Sequence, residues 1–133
     1  MLEATWKVDA QAVAHCIEQA HNETSIIKYN DENALSCVIS IAYYSARQYY
    51  NIVREMPTGK GFADLVFLPR KNHMDKPAMI IELKWDKSTI GAIQQIEDRQ
   101  YPEAIRDYKD NTLLIGVNYD KVSKKHECAI KRL

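Results

Sequence analysis

Asp64 lies inside the run Gly61-Phe62-Ala63-Asp64-Leu65-Val66-Phe67-Leu68, and Glu82-Leu83-Lys84 follows 18 positions later, near the end of Ala78-Met79-Ile80-Ile81-Glu82-Leu83-Lys84-Trp85. Two carboxylates and one ammonium at the ends of apolar runs are a combination with chemical use. Hard divalent cations such as Mg2+ or Mn2+ bind a few carboxylate oxygens plus water and leave positions for phosphate oxygens. An adjacent lysine then orients water, contacts phosphate or stabilises developing negative charge. The chemistry this set suits is phosphodiester hydrolysis.

The elements that must position these groups are legible from residue types. Both runs are rich in β-branched and aromatic residues and read as strands. Side chains alternate across a strand, so Glu82 and Lys84 share one face while Leu83 turns to the other, and pairing of the two strands sets Asp64 beside Glu82. Pro57-Thr58-Gly59-Lys60-Gly61 reads as the turn that leads from a weakly alternating strand, Tyr49 to Glu55, into the Asp64 strand. Pro69 to Pro77, with His73 and Asp75, reads as an exposed hairpin loop, and the three strands then make an antiparallel meander.

Helical spacing covers the rest. Val8 to Ala20 predicts an accessory helix with Asp9 at its first turn. Asn30 or Asp31 caps a second helix from near Glu32, with Leu35, Val38, Ile39, Ala42 and Tyr43 as its apolar stripe. Ser88 or Thr89 starts a third, which runs to about Gln100, where Tyr101-Pro102 interrupts it. Asn111 to Asn118 reads as a strand and Glu127 to Lys131 as a last edge strand.

This ordered set closely resembles the PD-(D/E)XK nuclease superfamily, with Ala63 where a proline often stands. Glu55 to Leu65, Ile80 to Lys84, Ala92-Ile93-Gln94-Gln95-Ile96 with Tyr101, and the late strand Leu114 to Asp120 are similar to the branch found as the C-terminal domain of bacterial AAA-ATPase-like proteins. The resemblance implies an α/β, restriction-endonuclease-like α-β-β-β-α-β core with a mixed sheet flanked by helices and an extra N-terminal helix. Residues 1–27 are then an accessory helix and linker that normally follow a larger upstream region, and residues 28–133 the nuclease-like domain.

The implied activity is divalent-metal-dependent cleavage of DNA or RNA. Asp64, Glu82 and the Leu83 carbonyl would hold Mg2+ or Mn2+, and Lys84 would assist the attacking water. Glu32 resembles the glutamate near the start of the first core helix in many members, which completes the metal shell; an acid there equally suits the positive end of a helix. Glu55 is matched in the same branch. Gln95 has an amide that reaches a metal-bound water or phosphate without adding charge, and Arg99 lies one helical turn on, so this face is the one expected to meet nucleic acid. Tyr101 either stacks on a base or seals the helix end. The rival expectation is a nuclease-fold module without catalysis, binding nucleic acid or protein within a larger ATPase system; a third is a nuclease that needs a partner or oligomer.

Composition sets the outer bounds. A chain of 133 residues with 46% hydrophobic and 27% charged residues is expected to fold as one domain with a real core. No apolar run approaches a bilayer-spanning length and the N-terminus shows no signal-like pattern, so the expected location is cytoplasmic. Cys16, Cys37 and Cys128, odd in number and in apolar contexts, are expected to be buried thiols. Net charge is zero, but residues 1–52 carry three Lys or Arg against six acids and residues 53–133 carry 15 against 12. The part with the carboxylate motif is thus the basic part, which suits a polyanion. His15, His21, His73 and His126 lack the paired spacing of a zinc ligand set, so histidine-based catalysis is not expected. Thr58-Gly59-Lys60-Gly61 is too short for a Walker A loop.

Overall fold

A valine in left-handed backbone conformation divides the N-terminal helical segment. Val8 has φ 59°, an uncommon region for a β-branched residue, and separates α1 (Leu2–Trp6) from α2 (Ala10–Glu23). The single helix expected from Val8 therefore begins two residues later, where the Ala12 N–H donates to Asp9 Oδ1 at 3.1 Å, and α1 is an added element. Its five residues are too few to show a helical period.

The computed structural model describes residues 1–23, 32–58, 61–98, 108 and 111–132, apart from the side chains of residues 32, 33, 56–58, 61–63 and 98. After α2 come α3 (Glu32–Ala42), a 3-10 turn (Tyr44–Gln48), β1 (Tyr50–Thr58), β2 (Gly61–Pro69) and a second 3-10 turn (Lys71–His73). They are followed by β3 (Ala78–Trp85), α4 (Thr89–Asp98), β4 (Thr112–Asp120) and β5 (Lys125–Arg132). The caps proposed for α3, Asn30 and Asp31, and the turn residues Gly59 and Lys60 lie outside the described residues. Among those residues no helix is long and apolar enough to cross a membrane.

The five strands form one sheet in the order β1-β2-β3-β4-β5. β1, β2 and β3 are the antiparallel meander, β3 and β4 run parallel with α4 in the connection, and β5 returns antiparallel. A parallel pair needs a crossover, and a helix is the usual one. The architecture is the mixed, helix-flanked α-β-β-β-α-β arrangement expected from the sequence, with α1 and α2 ahead of it.

Alternation along the strands assigns the two faces. Leu65, Phe67, Met79, Ile81, Leu83, Leu113, Ile115 and Val117 point into the larger core, together with Val13 and Ile17 of α2 and Leu35, Val38 and Ile39 of α3. Val66, Ile80 and Leu114 point the other way and pack with Ile93 and Ile96 of α4. β3 and β4 are covered on both faces, which is why each reads as a nearly continuous apolar run. The N-terminal helices share the larger core: Thr5 Oγ1 and Tyr43 Oη lie 2.7 Å apart, and Trp6 Nε1 donates to Tyr50 Oη at 2.8 Å.

Candidate active site

The polar positions of the central strands fall on the α4 face. Leu65 pairs with Ile81 and Val66 with Ile80, so continuing the register by one residue sets Asp64 opposite Glu82. On the other side of β2, Arg54 pairs with Leu65 and Met56 with Ala63, which leaves Glu55 opposite Asp64. Three carboxylate residues thus stand in one row across β1, β2 and β3. Glu55 is exposed and holds φ 51°; a non-glycine residue there costs about 1 kcal/mol or more.

Asp64 is held against β3. Its Oδ2 accepts a 2.8 Å hydrogen bond from the Leu83 N–H, where the side chain takes over from the backbone ladder that pairs Leu65 with Ile81. In a strand the N–H and C=O of one residue face the same neighbour. The Leu83 carbonyl therefore faces the Asp64 side of β3, while the Leu83 side chain is buried in the opposite core. An ionised carboxylate has several acceptor positions, and this bond fixes the direction of the Asp64 carboxylate.

Glu82 is buried to 2% exposure. Taking a carboxylate out of water is costly unless it is hydrogen-bonded or paired with positive charge. Part of that compensation is visible: Gln95 Nε2 donates to Glu82 Oε1, and Lys84 Nζ donates to Gln95 Oε1. Gln95 is the bridge, with its amide orientation assigned by the two groups it joins. The ammonium reaches the buried carboxylate through a neutral amide, which leaves the half-buried Lys84 at the mouth of the site.

Gln95 reaches this position because α4 comes close to the sheet. Gly116 pairs with Glu82 in the parallel register, and a Cβ at Gly116 would stand 2.7 Å from the Thr89 carbonyl oxygen and 2.9 Å from Ala92 Cβ. Ser88 starts the helix, with its Oγ accepting from the Gly91 N–H at 3.0 Å. Asn118, paired with Lys84 and 2% exposed, accepts from the Lys87 N–H at 2.9 Å and so fixes the turn between β3 and α4. Sequence reading singled out neither Gly116 nor Asn118. The signal was a glycine and an asparagine within an otherwise apolar strand.

Asp64, Glu82, the Leu83 backbone, Lys84 and Gln95 are thus brought together. The donor set fits a hard divalent cation in kind, since it consists of two adjacent carboxylates and a carbonyl, all oxygen and without a thiolate or imidazole. Two carboxylates this near each other repel, and a shared cation offsets that repulsion. Glu32 opens α3, whose buried stripe packs on the other face of the sheet; its side chain lies outside the described residues. Arg99 and Tyr101 lie outside them as well.

Two expectations need correcting. Cys37 is exposed, because α3 turns its Leu35, Val38 and Ile39 stripe inward and carries Cys37 outward; Cys16 and Cys128 are half-buried. The histidines are also less scattered than their spacing suggested. Glu18 and His21 of α2 meet His126 of β5, with ligand-type atoms within 4.8 Å of one another. Burial lowers the pKa of His126 below the ordinary histidine value, against the opposing influence of the Glu18 carboxylate beside it. Chain separation concealed this grouping, although Glu18 and His21 have the i, i+3 spacing of neighbours on a helix.

A family model described as the PD-(D/E)XK nuclease superfamily matches residues 30–128. The chain belongs to the PD-(D/E)XK nuclease superfamily. Comparison with curated proteins and with solved structures gave no match.

Proposed function

We propose that the protein is a Mg2+- or Mn2+-dependent nuclease that hydrolyses phosphodiester bonds in nucleic acid, DNA in the first instance. The observation that carries this reading is the convergence of Asp64, buried Glu82 and the Gln95-bridged Lys84 on one face of the sheet. Superfamily membership supports it.

Asp64, Glu82 and the Leu83 carbonyl would hold the cation, with Glu55 as a further acidic group in the same row; Glu32 is proposed as a further ligand on the family resemblance alone. The cation, when bound, neutralises phosphate charge and makes water a better nucleophile near neutral pH. Gln95 holds the Glu82 carboxylate in place and accepts from Lys84. Lys84 places a positive charge at the exposed rim, where it orients water or meets the negative charge that develops on phosphate. Arg99 and Tyr101 follow α4 in sequence and are proposed nucleic-acid contacts.

Residues 28–133 form the proposed nuclease-like unit, with residues 1–27 as its accessory segment. The resemblance to the C-terminal domain of bacterial AAA-ATPase-like proteins supports an ATPase as the partner, with oligomerisation as one way to complete a cutting unit. The test is cleavage of single- and double-stranded DNA and RNA with Mg2+, Mn2+ or EDTA. Cleavage that needs the cation and disappears in both Asp64→Ala and Glu82→Ala, with circular dichroism unchanged, supports the proposal. A protein that binds one of these polymers and cuts none of them is a binding module instead.

A further inference from the structure

We propose that Glu18, His21 and His126 form a second metal site, of the zinc class, on the face of the sheet opposite Asp64 and Glu82. His126 pairs with Tyr119 across β4 and β5, and Tyr119 belongs to the core beneath α2 and α3. Glu82 lies on the α4 face. The sheet separates the two sites.

The geometry is that of a helix and a strand converging. Glu18 and His21 lie three residues apart on α2, which places both side chains on one helix face, and that face covers β5. His126 rises to meet them. Its Nδ1 lies 2.8 Å from Glu18 Oε1, and the ring centroids of His21 and His126 are 5.5 Å apart. The donor atoms of all three lie within 4.8 Å of one another, so small side-chain rotations bring them to a common ion at the roughly 2.0–2.2 Å typical of zinc with nitrogen and oxygen ligands.

The kind of ion follows from the ligands. Two imidazoles and one carboxylate suit zinc and its transition-metal neighbours and offer little to Mg2+, which demands oxygen. The buried partner is already oriented: the backbone N–H of His126 donates to Glu18 Oε1, and Tyr119 and His21 lie against its ring. The His126 side chain is fully buried and the Glu18 side chain 27% exposed, so an ion enters from the α2 side and keeps a solvent-facing position. Bound there, it would clamp α2 onto the end of β5. The backbone hydrogen bond from His126 to Glu18 and the close approach of Nδ1 serve the same purpose without an ion, and the experiment must separate these cases.

Co2+ titration of the full chain, followed by visible absorption, is that experiment, because a low-coordinate cobalt site with nitrogen ligands absorbs far more strongly than aqueous Co2+. One equivalent should develop these bands in the wild type and in Asp64→Asn, and Zn2+ should abolish them by displacement while Mg2+ does not. His21→Gln, at a half-exposed position, should weaken binding by about tenfold or more. Glu18→Gln keeps an oxygen to accept from His126 and should do the same, which provides a second test if His21→Gln disturbs the helix. Absence of bands in the wild type overturns the proposal. So do bands that survive both substitutions, or bands lost in Asp64→Asn, which would assign the ion to the carboxylate site.

Discussion

Gly116 stands beside Glu82 in the parallel register of β4 and β3, and the space its missing side chain leaves is filled by α4. The Thr89 carbonyl and the Ala92 side chain occupy that space. A residue with no functional group therefore determines how close Gln95 comes to the buried carboxylate. The row across the sheet runs from Glu55 through Asp64 and Glu82 to this glycine, with charge on one side and close helix packing on the other.

Gly116→Ala is expected to destabilise the protein by about 1–3 kcal/mol, since neither backbone nor a buried alanine yields easily to an added methyl group. Gly91→Ala is the control. The Cβ it adds meets only Ser88 Oγ at 3.0 Å, on an exposed side chain, and alanine is the better helix former. Urea unfolding should place Gly116→Ala well below wild type and Gly91→Ala near it. If Gly116→Ala matches wild type in both stability and cleavage, the helix does not depend on this close approach.

Lys84→Ala should separate charge stabilisation from cation binding. The ammonium contacts the Gln95 amide, which in turn holds Glu82, so calorimetric affinity for Mn2+ should stay near wild type while turnover falls by about 10²-fold or more. Gln95→Ala differs in kind. It removes the donor that holds Glu82 and the acceptor that holds Lys84, and both affinity and turnover should fall. Equal effects of the two substitutions on affinity would mean that the bridge does not order the site.

Much of this arrangement was legible because the signals were local. β3 was bounded at Ala78 and Trp85 from its apolar run alone, and alternation placed Glu82 and Lys84 on one face with Leu83 inward. Gln95 was singled out from the resemblance of the segment Ala92 to Ile96 and from its place on the helix after Lys84. What sequence reading missed was set by contacts between distant segments. The closeness of α4 depends on Gly116 beneath it, and His126 meets Glu18 across 108 positions. α1 was missed for another reason: five residues do not display a period, and its docking depends on Trp6 and Thr5 finding tyrosines more than 35 positions away.

That docking is testable at Tyr50. Its hydroxyl accepts from Trp6 Nε1 at 2.8 Å and donates to the Pro77 carbonyl at 2.6 Å, which joins α1, β1 and the start of β3 through one oxygen. Tyr50→Phe keeps the ring against Phe67 but leaves two polar groups to find other partners. The expected loss is about 1–3 kcal/mol in urea unfolding. Hydrogen exchange should show faster opening of α1, with β3 and β4 changed only through global stability. A loss spread evenly over all elements would show that α1 is not a separately anchored unit.

The three thiols should differ in reactivity for two separate reasons, access and pKa. Cys37 is exposed on α3 and should be the first to react with a disulfide reagent at pH 8. Cys128 packs against the core, and burial raises its pKa to about 12, because a thiolate loses hydration there that nothing nearby replaces. At pH 8 its reactive form is then on the order of one part in 10⁴. Cys37 should label in the folded protein, whereas Cys128 should remain unlabelled from pH 7 to 9 until urea opens the fold. Mass spectrometry of the labelled peptides distinguishes the sites. Labelling of Cys128 at the same rate as Cys37 in the folded protein would contradict the packing of β5 against α2.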